Sequence, residues 1–144
     1  MTFKELADKR CSIREFAEGP IDHDTLVAVL KEAQRSPSWK NTQTARAYIV
    51  ESGEKLKELR SKGLPAFNQK SSANAALIVS TYVKAVSGHT KGEPDNELGD
   101  KWGVYDLGLR DAFLTLAAAE KGLGTLIMGI RDAEAIREIL ALAL

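Results

Sequence analysis

The sequence predicts an α+β fold, or a closely related α/β layer, built on a small mixed β-sheet. Three short strand-like segments alternate with helices and are separated by long connections. One of them, 76–83, is a continuous apolar and β-branched run, which is typical of a strand buried on both faces. The helix predicted over 104–121 is apolar around much of its circumference, as expected of a helix near the centre of a fold.

Two helices are predicted before residue 36. The first is short, with an apolar side formed by Phe3, Leu6 and Ala7. An irregular segment over 10–20 separates it from the second helix, for which Asp22 supplies the cap. The second helix repeats apolar residues at helical spacing, namely Leu26, Val29, Leu30 and Ala33.

The middle of the chain predicts a loop, a helix and two strands. Residues 36–44 are polar without periodicity and therefore form a loop that ends the second helix. A short strand is expected over 48–50, and the longer apolar strand over 76–83. Between them, a charged helix opens at Ser52-Gly53 and runs to about Lys62, before Gly63 and Pro65.

The last third predicts a loop, a central helix, a strand and a terminal helix. Residues 87–100 are rich in Gly, Asp, Glu and Pro, which indicates a mobile loop. The central helix over 104–121 stops at the glycines 122 and 124. A buried strand is expected over 125–130, and Asp132 caps a last helix that runs to the terminus.

Length and charge limit the classes of function. A chain of 144 residues suits one domain, and 20 basic residues balance 20 acidic ones. This balance disfavours a general nucleic-acid or anionic-membrane binder, although a small local anion site is allowed. The single cysteine excludes a disulfide framework, and no apolar stretch suits a signal peptide or a membrane span. We therefore expect one cytoplasmic domain that binds neither nucleic acid nor membrane.

The sequence does not contain the standard catalytic and metal-binding motifs. The pair Gly122 and Gly124 begins a dinucleotide fingerprint, but Ile127 stands where its third glycine should be. No Walker A sequence or G-x-S-x-G elbow occurs, and the acidic loop before residue 100 lacks EF-hand spacing. We expect no hydrolase triad and no metal site built from protein side chains alone.

The segment Arg10 to Arg14 is the first candidate site. If it is extended, alternate residues share a face, and two guanidiniums with the Ser12 hydroxyl suit a phosphate. The alternative is that both arginines pair on the surface with acids such as Asp8 and Glu15. Cys11 between them is either a thiol of lowered pKa or a residue that offers only its backbone.

Two further segments could bind a flat ligand. The loop over 36–43 brings an aromatic ring, amides and hydroxyls that could hold a planar polar heterocycle, or it is only a helix-stop loop. The segment 124–129 sets apolar side chains beside glycine, so that backbone N–H groups could approach a flat ligand, or it is an ordinary buried strand.

Taken in order, these segments resemble the nitroreductase family of FMN-dependent flavoproteins. The matching stretches are RCSIREF at 10–16, SPSWKNTQ at 36–43 and LAAAEKGLGTLIMG at 116–129. The resemblance implies a three-layer α/β/α fold of the α+β class, in which helices flank a small mixed sheet. It also implies an intertwined homodimer with FMN at the subunit interface and an apolar central helix in the dimer core.

The resemblance also assigns roles to residues. Arg10 and Ser12 resemble the phosphate ligands of the family, and Cys11 contributes main chain. Arg14 occupies the position of a basic residue at the N1/O2 edge of the flavin, where its positive charge would stabilise developing negative charge. Asn68 fits an amide on the pyrimidine edge of the ring. The loop from the partner subunit corresponds to Pro37, Ser38, Trp39 and Asn41. The segment along the flavin corresponds to Leu126, Ile127, Met128 and Gly129.

The implied activity is an oxidoreductase that takes hydride from NADH or NADPH and reduces nitroaromatics, quinones or similar small acceptors by a ping-pong mechanism. The alternatives are a non-enzymatic flavin-binding or storage protein, a flavin-dependent dehalogenase or enone reductase, and a helical interaction domain. Family members usually continue past a helix like 132–142 into another strand and a basic segment, whereas this sequence stops at Leu144. The resemblance thus implies a single domain over 1–144 that lacks this part. Either further chain follows, or the phosphate site works with Arg10, Ser12 and little else.

Overall fold

A computed structural model describes residues 1–51 and 53–142 of the chain. The helices are α1 (Phe3–Lys9), α2 (His23–Ala33), α3 (Gly53–Gly63), α4 (Ala66–Ser71), α5 (Lys101–Glu120) and α6 (Ala133–Leu140). The strands are β1 (Ala45–Val50), β2 (Leu77–Tyr82), β3 (His89–Thr90) and β4 (Glu93–Pro94), and a 3₁₀ turn covers Trp39–Asn41. The sequence predicts all of these helices except α4. The predicted start of α3 at Ser52 lies outside the described residues.

Three helices begin at side-chain caps. The Asp22 carboxylate accepts a hydrogen bond from the backbone N–H of Thr25 at 3.0 Å, and Asp132 does the same for Ala135 at 3.0 Å. Both predicted caps are confirmed. Helix α1 has a capping box, in which the Thr2 hydroxyl accepts from the Glu5 N–H while the Glu5 carboxylate accepts from the Thr2 N–H.

The strands β1 and β2 form an antiparallel pair between two layers of helices. Tyr48 lies opposite Val79, and Val50 lies opposite Leu77. Successive side chains of a strand point to opposite faces. Accordingly, Leu77 and Val79 pack with Leu59 and Ile136 of α3 and α6, whereas Ile78 packs against α2 and α5. The predicted α+β class, with its small sheet flanked by helices, is confirmed.

Helix α5 packs with α2 to form the second layer, as its apolar composition predicts. Their shared cluster contains Val29, Ala33, Leu114, Ala117 and Ala118. Gly103 of α5 lies so close to the Tyr82 ring that a Cβ at this position would overlap the ring. A glycine therefore allows α5 to cross directly over β2.

Three details of the sheet differ from the sequence prediction. Helices cover both faces of strand β2, as predicted, but only Leu77 is fully buried, and Ile78, Val79 and Ser80 line a cavity. The strand predicted over 125–130 makes only an isolated parallel bridge, Ser12 to Thr125. The expected loop over 87–100 contains the β3–β4 hairpin. The pattern of apolar residues in the sequence could not reveal the unpaired segment or the hairpin, because strand pairing depends on which backbone edges meet.

None of the helices within 1–51 and 53–142 combines the length and the apolar character that crossing a bilayer requires.

Candidate functional site

Two of the predicted segments, 10–14 and 124–129, lie side by side. The backbone N–H of Ile13 donates to the carbonyl oxygen of Thr125 at 2.9 Å, next to the Ser12–Thr125 bridge. Gly124 makes this approach possible, because a Cβ there would lie 2.8 Å from Cγ1 of Ile13. The fold therefore joins residues more than a hundred positions apart in the sequence.

A cavity of about 530 Å³ opens where these segments meet α5. Arg10 and Ser12 line it on one side, and Thr125 and Ile127 line it on another. Helix α5 contributes mostly apolar residues to the remaining wall. Arg10 is the only cation among the described residues that line this cavity. A guanidinium and a hydroxyl beside an apolar wall suit an anionic group attached to a flat apolar body.

The one acid that lines this cavity, Asp111, is paired. Its Oδ1 accepts from Nη1 of Arg110 at 3.1 Å and from the Ser80 hydroxyl at 3.0 Å. Arg110 is itself buried. Because the positive charge of Arg110 offsets that of Asp111, the carboxylate repels an anion near Arg10 less than an unpaired acid would.

A second cavity adjoins the first one near the segment 126–129. The second cavity has a volume of about 630 Å³ and is lined mainly by apolar side chains of the core, with Leu126, Met128 and Gly129 along one side. Ile127 lines both cavities and is 73% exposed. The predicted flavin-side segment thus borders the second cavity along its length and the first cavity at Ile127.

The loop before β1 has an unusual backbone. Lys40, Asn41 and Gln43 have φ angles of 47°, 55° and 48°, in the left-handed region that residues other than glycine rarely adopt. Two contacts within the loop support this shape: the Ser38 hydroxyl accepts from the Gln43 N–H at 2.9 Å, and Oδ1 of Asn41 accepts from Nε2 of Gln43 at 3.2 Å. Strained backbone that its surroundings hold in place is common at binding sites.

Helix α5 anchors the same loop through a buried acid and an aromatic ring. Oδ2 of Asp106 accepts from the backbone N–H of Trp39 at 3.0 Å and also from the Ser87 hydroxyl. The rings of Trp39 and Trp102 lie 4.5 Å apart between centroids, tilted by 44°. These contacts fix the position of the Trp39 ring relative to α5.

The loop and the Arg10 cavity lie on opposite sides of α5. The loop contacts Trp102 and Asp106, whereas the cavity is lined by Val104 and Asp111 among others. At about 100° per residue, these two sets point roughly 140–160° apart around the helix axis. Within one chain, the loop therefore lies across the helix from the cavity.

Four other predicted residues have different surroundings. Arg14 and Pro37 are exposed and line neither cavity. Asn68 is buried, and its Nδ2 donates to the carbonyl oxygen of Ile130 at 2.9 Å. This hydrogen bond holds the backbone directly after the 126–129 segment. Cys11 is exposed beside Arg10. The roles that the resemblance gives to these residues remain predictions.

The sequence analysis missed the acids that hold the Trp39 loop, Asp95 and Asp106. Hydrogen bonds from Thr90 and Lys40 hold the pKa of Asp95 below its ordinary value, with a further contribution from Trp39. Asp106 lies in an apolar helix, where an acid suggests a buried partner, and this signal could have identified it. Asp95 lies in an acidic stretch and carries no such signal. Within the described part of the chain, no three His, Cys, Asp or Glu side chains converge as a metal site would require.

Comparisons with known proteins show the family of this chain. The sequence model of the nitroreductase family matches residues 7–82. The chain is 34% identical over 82 residues to a "Putative NAD(P)H nitroreductase" of Streptococcus pyogenes serotype M6. The match covers 57% of this chain and 40% of that curated relative, so the chain spans less than half of the relative's length.

Solved structures share the fold over nearly the whole chain. A nitroreductase family protein from Clostridium novyi NT has a TM-score of 0.82 and 26% identity, covering 99% of this chain and 77% of that one. A "putative nitroreductase in complex with FMN" from Exiguobacterium sibiricum has a TM-score of 0.82 and 22% identity, covering 99% and 81%. The second likeness, at this identity, shows the fold alone.

Proposed function

This chain belongs to the nitroreductase family, and on that premise we propose that it is an FMN-dependent oxidoreductase. It takes hydride from NADH or NADPH and passes reducing equivalents to a nitroaromatic, a quinone or a similar small acceptor in two successive half-reactions. FMN, when bound, supplies the hydride and electron chemistry, while the protein binds, orients and polarises.

The observation that carries this proposal is the convergence of 10–14 and 124–129 on one cavity. Arg10 and Ser12 offer a guanidinium and a hydroxyl at the cavity, which fit a phosphate. The neighbouring segment supplies Thr125 and an apolar side chain, Ile127, to the same cavity. A molecule with a phosphate at one end and a flat aromatic ring at the other matches this combination.

The residues of this chain then have distinct roles. Arg10 and Ser12 hold the phosphate and so set the position of that end of the ligand. Arg14, which is exposed, is free to turn towards the ring and to stabilise negative charge that develops there. Asn68 keeps Ile130 in place and so positions the flavin-side segment. We assign no side chain to covalent catalysis.

We further propose that the site is completed by a second copy of the chain. The Trp39 loop lies across α5 from the cavity of its own chain and therefore faces away from it. Exposed apolar side chains on α5, with Val104 at 53% and Tyr105 at 59%, would be covered in such a dimer. In this arrangement each cavity receives the Trp39 loop of the partner.

The proposal is tested first by cofactor content. The purified protein should retain FMN, or take it up with the absorbance of a protein-bound flavin, and should sediment at twice the 15.7 kDa mass of the chain. Protein that stays colourless after incubation with FMN would refute the flavin assignment.

Anaerobic mixing with NADH or NADPH then separates an enzyme from a storage protein. An enzyme should bleach the flavin absorbance rapidly and recover it on addition of a quinone or a nitroaromatic. A flavin that stays oxidised with both nicotinamides would contradict the oxidoreductase and favour a storage protein.

A further inference from the structure

Both tryptophan rings beside the strained loop are held by one short segment, Asp95 and Asn96. Oδ2 of Asp95 accepts from Nε1 of Trp39 at 3.1 Å. Oδ1 of Asn96 accepts from Nε1 of Trp102 at 3.0 Å. The rings themselves are in contact. The segment after the β3–β4 hairpin therefore fixes the two indoles together.

Asp95 also binds the residue next to Trp39. Nζ of Lys40 donates to Oδ2 of Asp95 at 2.9 Å and to the Thr90 hydroxyl at 2.8 Å. Only 18% of the Asp95 side-chain surface reaches solvent. One carboxylate oxygen thus receives an indole N–H and an ammonium from consecutive residues of the loop.

These contacts bear on the strain in the loop. The first left-handed residue is Lys40, the residue whose ammonium Asp95 binds. A non-glycine residue in this conformation costs on the order of 1 kcal/mol or more, so contacts beyond those within the loop help to hold it. Asp106 fixes the backbone of Trp39, but it does not touch the ring nitrogen or Lys40. Asp95 fixes both.

We propose that Asp95 is a positioning residue of the flavin site, which holds Trp39 and Lys40 in the shape that closes the FMN cavity of the partner subunit. This inference rests on the proposed function. Asp95 touches neither substrate nor cofactor and acts only through the loop. The β3–β4 hairpin, placed just before it, then serves as the support that delivers its carboxylate.

The test is a double-mutant cycle read out as the dissociation constant for FMN. Asp95→Leu removes the acceptor of both hydrogen bonds and should weaken FMN binding about three- to tenfold, because the loss reaches FMN only through the loop. Asp95→Asn keeps a neutral acceptor and should fall between the wild type and Asp95→Leu. Glu93→Leu removes an exposed carboxylate on β4 of the same hairpin and is the matched control, for which no change is expected.

The cycle is closed with Trp39→Phe, which removes the indole N–H. If Asp95 acts through the ring, Asp95→Leu should cause a smaller loss of affinity in the Trp39→Phe background than in the wild type. If the two losses simply multiply, Asp95 does not act through the Trp39 ring. The same cycle with Lys40→Met then tests the second contact, and losses that multiply in both cycles make the inference wrong. If the wild type binds FMN and Asp95→Leu binds it equally well, this inference is wrong and the proposed function stands. Wild-type protein that binds no FMN overturns the proposed function as well.

Discussion

Arg10 is the residue best placed to hold an anion in the 530 Å³ cavity, since no other described lining residue is cationic. It is half-buried at the end of α1, so its guanidinium is less screened by solvent than that of a surface arginine. Of the three residues that the sequence predicts on one face, Arg10 and Ser12 line this cavity and Arg14 does not.

Replacing Arg10 should therefore weaken FMN binding. We expect Arg10→Ala to raise the dissociation constant about ten- to a hundredfold, because a hydrogen bond to a charged group is worth about 1.5–3 kcal/mol. Fluorescence titration of the apoprotein with FMN measures this. Arg35→Ala is the control, since Arg35 is exposed on the surface and pairs with Glu32 at 2.8 Å. Equal effects of the two changes would refute the phosphate role.

Low pH should remove the contribution of Asp95 to the stability of the fold. Hydrogen bonds from Thr90 and Lys40 hold the pKa of Asp95 below its ordinary value of 3.8. A group whose folded-state pKa is depressed stabilises the fold above its unfolded pKa, and this contribution disappears as the pH falls through the folded pKa. The stabilisation is thus complete at neutral pH and is lost only below about pH 3.8.

Urea unfolding of wild type and Asp95→Asn at a series of pH values checks this. The stability difference between them should be constant at neutral pH and should shrink as the pH falls below that value. A difference that stays constant down to the acid limit would show that the ionised carboxylate does not stabilise the loop.

At the scale of elements, the close approach of 10–14 to 124–129 depends on a glycine. A Cβ at Gly124 would lie 2.8 Å from Cγ1, 3.1 Å from Cβ and 3.3 Å from Cγ2 of Ile13. The Cβ of Ile13 cannot move without its backbone, and a branched side chain is stiff about χ1. We expect Gly124→Ala to destabilise the fold by about 1–3 kcal/mol through overpacking. Gly129→Ala is the control for stability, because no atom lies within 4 Å of a Cβ there. Equal unfolding midpoints for both variants would contradict this packing.

Local patterns were sufficient for the elements that caps and periodicity define. Asp22 and Asp132 begin helices as predicted, and α5 is central because its apolar positions surround it. They were not sufficient for 125–130, whose apolar residues resemble a buried strand although Ile127 and Ile130 are exposed. Whether an extended segment becomes a strand depends on a partner edge, and a single sequence does not reveal that edge.

The same reason explains the hairpin at β3–β4. Its composition predicts a loop, and the structure adds contacts from Asp95 and Thr90 to residues 39 and 40. Such contacts join positions about fifty residues apart, and only the folded chain brings them together. The sequence identified the Trp39 loop as a candidate site but gave no sign of what holds it.

At the scale of the whole molecule, the two halves of the proposed site are separated by α5. The cavity with Arg10 lies on one side of this helix, and the Trp39 loop lies on the other. A helix with side chains is about 10–12 Å across, so the loop does not reach the cavity of its own chain by a small adjustment. A two-fold dimer with α5 at the interface would bring the loop and the cavity together, because the loop of each chain would then lie at the cavity of the other.

Mixing two defective variants tests this arrangement directly. Arg10→Ala damages the cavity, and Trp39→Ala damages the loop. If the site is shared, each mixed dimer contains one site built from an intact cavity and an intact loop. After unfolding and refolding together in equal amounts, about a quarter of all sites should regain wild-type affinity for FMN, because half of the dimers are mixed and each restores one of two sites. Refolding each variant alone is the control and should restore none. If the mixture also restores none while both variants sediment as dimers, the loop and the cavity belong to the same chain's site and the shared site is wrong.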